Sequence, residues 1–313
     1  MTEPLVTVII PCYNAADTIV RAIDSVRRQT WRPLEIIAVD DASTDNTRQI
    51  LEAEAERGDV TVVALDRNLR AAGARNAGFA QSHGEFIAFL DSDDEWLPEK
   101  VARQVALLAS HPDMTFVSCD ASNVTLDGTV RERIFSTLPP ALGRDGWRTM
   151  LAYSNAMPSV AMVRRSAFDA VGGFHLGMEL IEDQDFFIRV ALLGETGFVD
   201  EVLVITHTQP AGLSHRTWRW DIEVWPAVRR HIEAQKDRLS FGERRHIYGF
   251  RYARLGRNVY AEAPLHGAML ILRGMLNGNA PLANAWYLIV ASPPVRTLKG
   301  WLARGRQDRT IAR

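Results

Sequence analysis

The chain has 313 residues, enough for one large domain or two smaller ones, and its 47% hydrophobic and 24% charged residues are typical of an ordinary soluble protein. The net charge is only −2. The chain has two cysteines, Cys12 and Cys119, so a disulfide framework is not expected and a reducing, cytosolic setting is. The first residues lack a basic segment, and no stretch of about 20 apolar residues is unbroken, so neither a signal peptide nor a membrane span is predicted.

Strands and helices are predicted to alternate over the first 120 residues. Runs of β-branched and apolar residues predict strands at residues 6–11, 34–39, 60–65, 85–90 and 114–118. A helical spacing of apolar residues predicts helices at residues 15–28, 45–57 and 72–82, and a fourth from Pro98 to about residue 110. This order is typical of βαβ units, which predict a parallel sheet and an α/β fold.

The remaining residues fall into two parts. Residues 120–215 are less regular, with strands predicted at 159–163 and 197–205 and a helix at 182–193. Residues 216–313 are predicted to be helical and rich in Trp and Arg, with 18 basic and 7 acidic residues, a balance of +11. Residues 1–215 then carry 18 basic and 31 acidic residues, a balance of −13. Such segregation predicts two domains with different tasks, residues 1–215 and residues 216–313.

Polar residues follow three of the predicted strands, at the end where ligands bind in open α/β sheets. They are Pro11, Cys12, Tyr13 and Asn14 after the first strand, Asp40, Asp41, Ala42 and Ser43 after the second, and Asp91, Ser92, Asp93 and Asp94 after the fourth. An Asp after a strand is commonly a turn former or a helix cap, and this interpretation is kept for Asp45. Because neighbouring strands would bring the three ends into one cleft, we expect a functional site there.

Four acidic residues crowd the end of the fourth strand: Asp91, Asp93, Asp94 and Glu95. Like charges this close are costly unless a cation compensates them. Carboxylate oxygens suit a hard divalent ion, and Mg²⁺ or Mn²⁺ held by one or two carboxylates keeps positions open for phosphate oxygens. We therefore expect Asp91 and Asp93 to hold a divalent ion that binds a diphosphate.

Three segments occur in order along the chain: VTVIIPCYNAADTIVRAIDSVRRQTWRPLEIIAVDDASTDNT, RNLRAAGARNAG and GEFIAFLDSDDEWLPEK. Together they resemble an inverting family-2 glycosyltransferase, and the likeness covers about residues 4–215. The resemblance implies a GT-A fold, which is a Rossmann-like mixed sheet flanked by helices, with residues 216–313 as a helical extension. It also implies a nucleotide-sugar donor, with a family-level preference for a UDP-sugar.

The resemblance assigns roles to single residues. The donor nucleoside falls on Pro11, Tyr13 and Asp41, with Asp40 supporting, and the donor phosphates fall near Arg75 and Asn76. The family's metal-binding Asp-x-Asp falls on Asp91 and Asp93, with Asp93 the more direct metal ligand and Asp91 nearer the ribose. Asn14 and Ser92 complete the predicted donor site.

The family's catalytic base lies in a Glu-Asp pair that opens a helix after a Gly-Gly-Phe segment. That segment is residues 172–174 here, and the matching pair is Glu182 and Asp183. Acids in a first helical turn also complement the helix dipole. This structural interpretation is kept for Glu182 and Asp185, whereas the resemblance makes Asp183 the catalytic base.

Two positions depart from the family pattern. Arg70 stands where the family usually has Gly, two residues after Asn68, and two roles stay open for it, a phosphate contact or simple exposure. The family's His near the metal falls on Gln209. His207 or His215 could substitute, or they could be surface or packing residues, which leaves a third protein ligand to the metal open.

Two interpretations of the basic extension, residues 216–313, stay open. Amphipathic helices with Arg on one face and Trp or Leu on the other can lie in an anionic membrane interface. That role would suit a lipid-linked saccharide acceptor and a peripheral location at the inner face of the cell membrane. The alternative is a solvated helical subdomain that packs on the core. No recognition motif accompanies the charge, so no nucleic-acid partner is expected.

The segment after the first strand, CYNAAD, separates the rival functions. A sugar nucleotidyltransferase would normally carry a Gly-rich loop with a basic residue there, and a dinucleotide-dependent oxidoreductase would need G-x-G-x-x-G. A nucleotide-sugar-binding relative without turnover is a further alternative, and the retained Asp91, Asp93 and Asp183 argue against it. We therefore expect glycosyl transfer to a saccharide or lipid-linked acceptor in cell-surface polysaccharide or glycan biosynthesis.

Overall fold

A computed structural model of the chain describes residues 3–136, 138, 140–153, 156–178, 180–209, 224–260 and 263–278. The chain divides into two compact units, Met1–His215 and Arg216–Arg313. The first unit contains the sheet and the predicted site residues, and the second contains helices.

The strands of the first unit form one sheet whose core strands are almost wholly buried. In chain order the described strands are β1 Val6–Cys12, β2 Leu34–Asp40, β3 Val60–Ala64, β4 Phe86–Phe89, β5 Glu95–Trp96, β6 Met114–Val124, β7 Val130–Arg131, β8 Met162–Arg164 and β9 Glu195–His207. Their order across the sheet is β3-β2-β1-β4-β8-β6-β9-β5, with β7 paired to β6. Continuous apolar runs such as that of β1 form strands covered on both faces.

The sheet is mixed. Strands β1, β2, β3 and β4 are parallel to one another, because each is joined to the next through a helix. Strand β8 runs antiparallel to both β4 and β6, whereas β6 and β9 are parallel. The strands predicted in the first 120 residues therefore all run in one direction, because β4 and β6 are both antiparallel to β8. The sheet as a whole is mixed because β5, β7 and β8 run the other way, and the mixed sheet implied by the family resemblance is confirmed.

The helices of the first unit cover the sheet with their apolar faces. They are α1 Ile19–Arg27, α2 Thr47–Ala55, α3 Arg70–Ala80, α4 Lys100–Ser110, α5 Gly146–Ala152, α6 Arg165–Val171 and α7 Glu182–Ala191. Helix α1 buries Ile19, Ala22, Ile23 and Val26, which share one face at helical spacing. Helices α5 and α6, and the extension of β6 to Val124, were not predicted from the sequence pattern.

The second unit has three α-helices among its described residues: α8 Val224–Ala234, α9 Phe241–Val259 and α10 Pro264–Leu276. Helix α9 begins with a capping box, in which Ser240 and Glu243 each accept the other's backbone N–H. The predicted helical extension is thus confirmed for these residues. Within the described part of the chain, no helix combines the length and the apolar character needed to cross a bilayer.

Candidate active site

The carboxyl ends of β1, β2 and β4 meet at one edge of the sheet, because β1 lies between the other two and runs parallel to both. A cleft of about 380 Å³ opens at this edge, within the range of small-molecule sites. Its lining includes Pro11, Cys12, Tyr13, Asp41, Ala71, Ala74, Arg75, Asp91, Ser92, Asp93, Pro158, Glu182 and Asp183. The three strand ends therefore share a cleft with the Glu-Asp pair of α7.

Two adjacent carboxylates at the end of β2 are buried and have different surroundings. Asp41 lines the cleft, and its Oδ1 accepts the backbone N–H of Leu69 at 2.6 Å. Burial raises the pKa of Asp41, and the nearby charge of Asp40 raises it further. Asp40 lies behind the cleft, where its Oδ1 accepts the N–H of Ser43 and shapes the turn.

Asn14 braces two loops rather than lining the cleft. Its backbone has φ +50°, and its side-chain oxygen accepts the N–H of Thr44 at 2.8 Å, while its own N–H donates to Ser43 Oγ. These bonds join the loop after β1 to the loop after β2. Tyr13, by contrast, is half exposed at the cleft.

Arg75 is a buried cation that links the two acidic groups of the cleft. Its Nη2 donates to Oδ1 of Asp91 at 2.7 Å, and its Nη1 lies 3.3 Å from Oε1 of Glu182. The guanidinium also lies over the ring of Phe174, 5.3 Å from the centroid. The two carboxylates raise the pKa of Arg75 despite its burial, so the group stays charged.

Asn76 is bonded to the backbone of the Gly-Gly-Phe segment. Its Nδ2 donates to the carbonyl of Phe174 and its Oδ1 accepts the Phe174 N–H, both at 2.8 Å. Gly173 has φ +78°, and a Cβ there would lie 2.6 Å from Asn76 Oδ1. The structure thus places Asn76 as a bracket for this segment and outside the cleft lining.

Backbone and side-chain bonds hold the acidic loop after β4. Ser159 Oγ accepts the N–H of Asp91 at 3.1 Å and donates to Oδ2 of Asp94 at 2.6 Å. From the other side, Arg21 Nη2 donates to the carbonyl of Asp93 at 2.7 Å. Asp94 is buried behind the loop, and burial together with the charges of Asp91 and Asp93 raises its pKa well above the ordinary value.

Asp93 faces the cleft, and negative charge accumulates there. Burial raises its pKa, the nearby Asp91 raises it further, and a hydrogen bond from Gln209 lowers it in part. Gln209, which stands at the position of the family's His, therefore contacts Asp93 by hydrogen bonding. No sequence pattern predicted this contact.

The donor set fits a hard divalent ion. Within the described residues, no three His, Cys, Asp or Glu side chains converge as metal ligands. A Mg²⁺ or Mn²⁺ ion that is shared with substrate phosphates needs only one or two carboxylates. Asp93 supplies such a carboxylate. Burial and the nearby Asp91 raise its pKa, so its ionised form is unfavourable without a cation beside it.

Of the two histidines predicted as alternative metal ligands, one lies within the described residues. His207 lies at the end of β9, and its Nε2 is 2.9 Å from Oε1 of Glu95, which also lies 3.3 Å from Arg21 Nε. His207 thus belongs to a polar cluster beside the acidic loop, and its N–H donates to Asp94. His215 lies outside the described residues.

Asp183 lies at the start of α7, where it lines the cleft. Its Oδ1 accepts the N–H of Gln184 at 2.6 Å. Burial raises its pKa to about 7, the adjacent Glu182 contributes to the rise, and Arg75 opposes it. A carboxylate with this pKa can accept a proton near neutral pH, as a general base must.

Aromatic and ionic contacts hold helix α7 in place. The rings of Phe186 and Phe174 stack with centroids 4.0 Å apart. Asp185 is buried and bonds Arg189 Nε and His175 Nδ1, each at 2.9 Å, so its carboxylate points into a structural network. These contacts fix the first turn of α7, which carries Asp183.

Arg70 has φ +63°, a left-handed conformation that favours glycine. The Gly that the family resemblance implies at this position would adopt such a conformation without strain. The Arg70 residue is exposed at the start of α3, and its neighbour Ala71 lines the cleft.

Relatives of known name match the chain over part of its length. It is 39% identical over 145 residues to TuaG of Bacillus subtilis, named as a putative teichuronic acid biosynthesis glycosyltransferase, covering 46% of this chain and 56% of that protein. It is 31% identical over 193 residues to WfaP of Escherichia coli, a UDP-Glc:alpha-D-GlcNAc-diphosphoundecaprenol beta-1,3-glucosyltransferase, covering 61% and 71% of the two chains. The chain thus spans a little over half of the first relative and about seven-tenths of the second.

Solved structures share the fold at low identity. S. aureus TarS, residues 1–349, has a TM-score of 0.62 and 20% identity, over 84% of this chain and 73% of that one. The mannosyltransferase PcManGT from Pyrobaculum calidifontis, in complex with GDP-Man and Mn²⁺, has a TM-score of 0.57 and 21% identity, over 97% and 85%. Together with the mixed, helix-flanked sheet, these similarities confirm the predicted GT-A fold.

The family itself is shown by a match to more than half of the chain. The model named Glycosyl transferase family 2 matches residues 7–172, which run from β1 to the Gly-Gly-Phe segment and contain the acidic loop. The chain belongs to glycosyl transferase family 2.

Proposed function

We propose that this chain transfers a sugar from a nucleotide-sugar donor, preferably a UDP-sugar, to a hydroxyl of a saccharide or lipid-linked saccharide acceptor, with inversion at the anomeric carbon. The observation that carries the proposal is the sharing of one cleft by three strand ends and Asp183. The strand ends offer the groups for a nucleoside diphosphate, and Asp183 offers a base at working pH.

The donor would lie across the strand ends, with its nucleoside against Pro11, Tyr13 and Asp41. Tyr13 is half exposed and free to stack on a base, whereas the buried Asp41 can accept hydrogen bonds from it. Asp91 and Ser92 would lie near the ribose. Arg75 serves this arrangement indirectly, because its guanidinium is engaged by Asp91 and Glu182.

Proton transfer is assigned to Asp183. In its ionised form the carboxylate accepts the proton of the acceptor hydroxyl while that oxygen bonds to the anomeric carbon and the bond to the nucleoside diphosphate breaks on the opposite face. Burial and the charge of Glu182 raise the pKa of Asp183, and Arg75 limits the rise. Holding donor and acceptor in line supplies much of the acceleration.

Asp93, with Asp91 beside it, would hold a Mn²⁺ or Mg²⁺ ion. When bound, such an ion neutralises charge on the departing diphosphate. The structure of PcManGT, a complex with GDP-Man and Mn²⁺, supports this assignment by fold similarity. The role of the chain's own residues is to orient Asp93, through Arg21 on its carbonyl and Gln209 on its side chain.

The acceptor class rests on the named relatives. TuaG is named for teichuronic acid biosynthesis, and the name of WfaP specifies an undecaprenol-linked acceptor. We infer a related place for this chain in cell-surface polysaccharide assembly, with peripheral association at the inner face of the membrane.

The test is release of nucleoside diphosphate from a panel of UDP- and GDP-sugars, with Mn²⁺ and with a chelator. A soluble glycoside is offered as acceptor, and the anomeric configuration of the product is read by NMR. We expect metal-dependent release from a UDP-sugar and an inverted product. Donor binding without any release across the panel would instead favour a binding protein, and a retained configuration would contradict the assigned mechanism.

A further inference from the structure

Helix α10 in the second unit presents an apolar stripe to solvent. Leu265, Met269, Leu272 and Leu276 are 85%, 56%, 48% and 76% exposed. At about 100° per residue the four fall within an arc of about 60°, and they extend for about 16 Å along the helix. We call these four residues the α10 stripe.

The opposite face of α10 is fully occupied. Leu270 and Ile271 are buried, and Gly267 and Gly274 lie against α9. A Cβ at Gly274 would come within 2.8 Å of the Gly249 carbonyl, so the two backbones are in close contact. Because this face of α10 packs against α9, the opposite face, which carries the α10 stripe, is directed to solvent.

Basic groups border the stripe. Arg273 is exposed on α10, one residue after Leu272. Arg245 of α9 donates from Nη2 to the carbonyl of Leu276 at 2.8 Å, which places the start of α9 beside the end of α10. The face thus combines apolar side chains with Arg.

The net positive charge of residues 216–313 indicates which partner the α10 stripe binds. Residues 216–313 carry a balance of +11, so a second copy of this unit would bring like charges together. An anionic lipid surface is attracted by the same charge, and each Lys or Arg near it contributes. The length of α10, 13 residues or about 20 Å, suits a helix that lies in the interface, because crossing the apolar layer takes about 30 Å.

We propose that the α10 stripe inserts into the interface of an anionic membrane and that Arg245 and Arg273 contact lipid phosphates beside it. This inference deepens the proposed function, on which it rests for its purpose, because a lipid-linked acceptor would be met at that surface. The binding itself can be measured without any sugar transfer.

The experiment uses the full chain and flotation with two vesicles, pure phosphatidylcholine and an equal mixture of phosphatidylcholine and phosphatidylglycerol. The stripe variant combines Leu265→Gln, Met269→Gln, Leu272→Gln and Leu276→Gln, since Gln is a good helix former and the positions are exposed. The matched control carries Leu126→Gln and Leu193→Gln, two exposed leucines of the first unit.

We expect the unchanged chain and the control to float with the mixed vesicles, and the stripe variant to lose at least about tenfold in partitioning. Binding should weaken with salt and on pure phosphatidylcholine. Equal flotation of the stripe variant, or no flotation of the unchanged chain, would overturn the proposal. So would a dimer in sedimentation that the stripe variant alone abolishes, since the occupant would then be a second copy.

A second readout locates the contact. Met269→Cys can be labelled with an environment-sensitive dye, because the native thiols Cys12 and Cys119 are buried and burial raises the pKa of both. A blue shift on adding mixed vesicles supports insertion of the stripe, and flotation without a shift refutes it. Nucleoside diphosphate release in solution should be the same in the stripe variant as in the unchanged chain. If neither protein releases nucleoside diphosphate, the proposed function is refuted and the inference on membrane binding stands.

Discussion

Arg75 Nη2 and Asp91 Oδ1 are 2.7 Å apart, and this bond joins helix α3 to the loop after β4 in the lining of the cleft. Arg75 also reaches Glu182 on α7, so one buried cation connects two acidic elements that are far apart in the chain. Glu182, Arg75 and Asp91 all influence the pKa of Asp183, the assigned base. This network therefore affects both the stability of the fold and the protonation of the base.

Replacing this cation should destabilise the fold. Arg75→Met leaves the partly exposed Asp91 and the largely buried Glu182 without their cation. We expect a loss of about 3 kcal/mol in the free energy of unfolding, the low end for a broken buried pair. Urea unfolding measures it. Arg48→Met, which removes an exposed pair with Glu52, is the control and should change little. Equal stability of the Arg75 variant and the unchanged chain would show that the buried pair is not the link described.

Asp183→Asn should abolish transfer while keeping donor affinity. The amide preserves size and can still accept the Gln184 N–H, but it cannot take a proton from the acceptor. We expect a fall in kcat of at least about 100-fold, with the Kd for UDP changed less than about threefold. Glu182→Gln is the matched control on the same turn and should keep substantial turnover. Normal turnover of the Asp183 variant would remove it as the base.

The pH dependence follows from the raised pKa of Asp183, about 7. Because the ionised form is the base, kcat should rise with pH to a plateau, with a midpoint near 7. The free energy of unfolding should change with pH in the opposite direction to kcat. Between the ordinary value of 3.8 and about 7 the folded state binds the extra proton, so the free energy of unfolding falls as pH rises. Asp183→Asn should make that fall shallower in urea titrations at successive pH values.

Asp93→Asn should weaken metal-dependent donor binding. The substitution removes one negative charge from a site where Asp91 and burial already raise the carboxyl pKa. Calorimetry with UDP in the presence and absence of Mn²⁺ should give a loss of about tenfold or more in affinity with metal, and little change without it. The buried Asp94→Asn variant is the comparison, because it tests the loop's packing. An unchanged Mn²⁺ effect in the Asp93 variant contradicts the assignment.

Arg70→Gly should be the more favourable of two matched substitutions. At φ +63° a side chain costs about 1–2 kcal/mol, which glycine avoids. Arg67→Gly in the preceding loop, at a residue without a positive φ, gains no such relief. We expect the Arg70 variant to be the more stable by about 1 kcal/mol in thermal unfolding. Affinity for UDP then separates the two roles open for Arg70, since a phosphate contact would be lost with the side chain.

Local sequence patterns were enough for the parallel half of the sheet and for the position of the acidic groups. The runs that become β1, β2 and β4 are buried on both faces, which leaves an apolar signature that ends where polar residues begin. The family motifs added the Glu-Asp pair, and Asp183 does line the same cleft as Asp93. Periodicity and motif order thus predicted that Asp93 and Asp183 would share a cleft.

Only the tertiary structure decided how those residues are held. Asn76, expected near the donor phosphates, bonds the Phe174 backbone, and Ser159 supports the acidic loop from a position just before β8, a strand that the βαβ pattern could not orient. Arg75 and Glu182 are 107 positions apart, and their contact leaves no trace in local spacing. The physical reason is that spacing along a chain records which face of an element is buried, whereas pairs across the fold depend on which elements pack together.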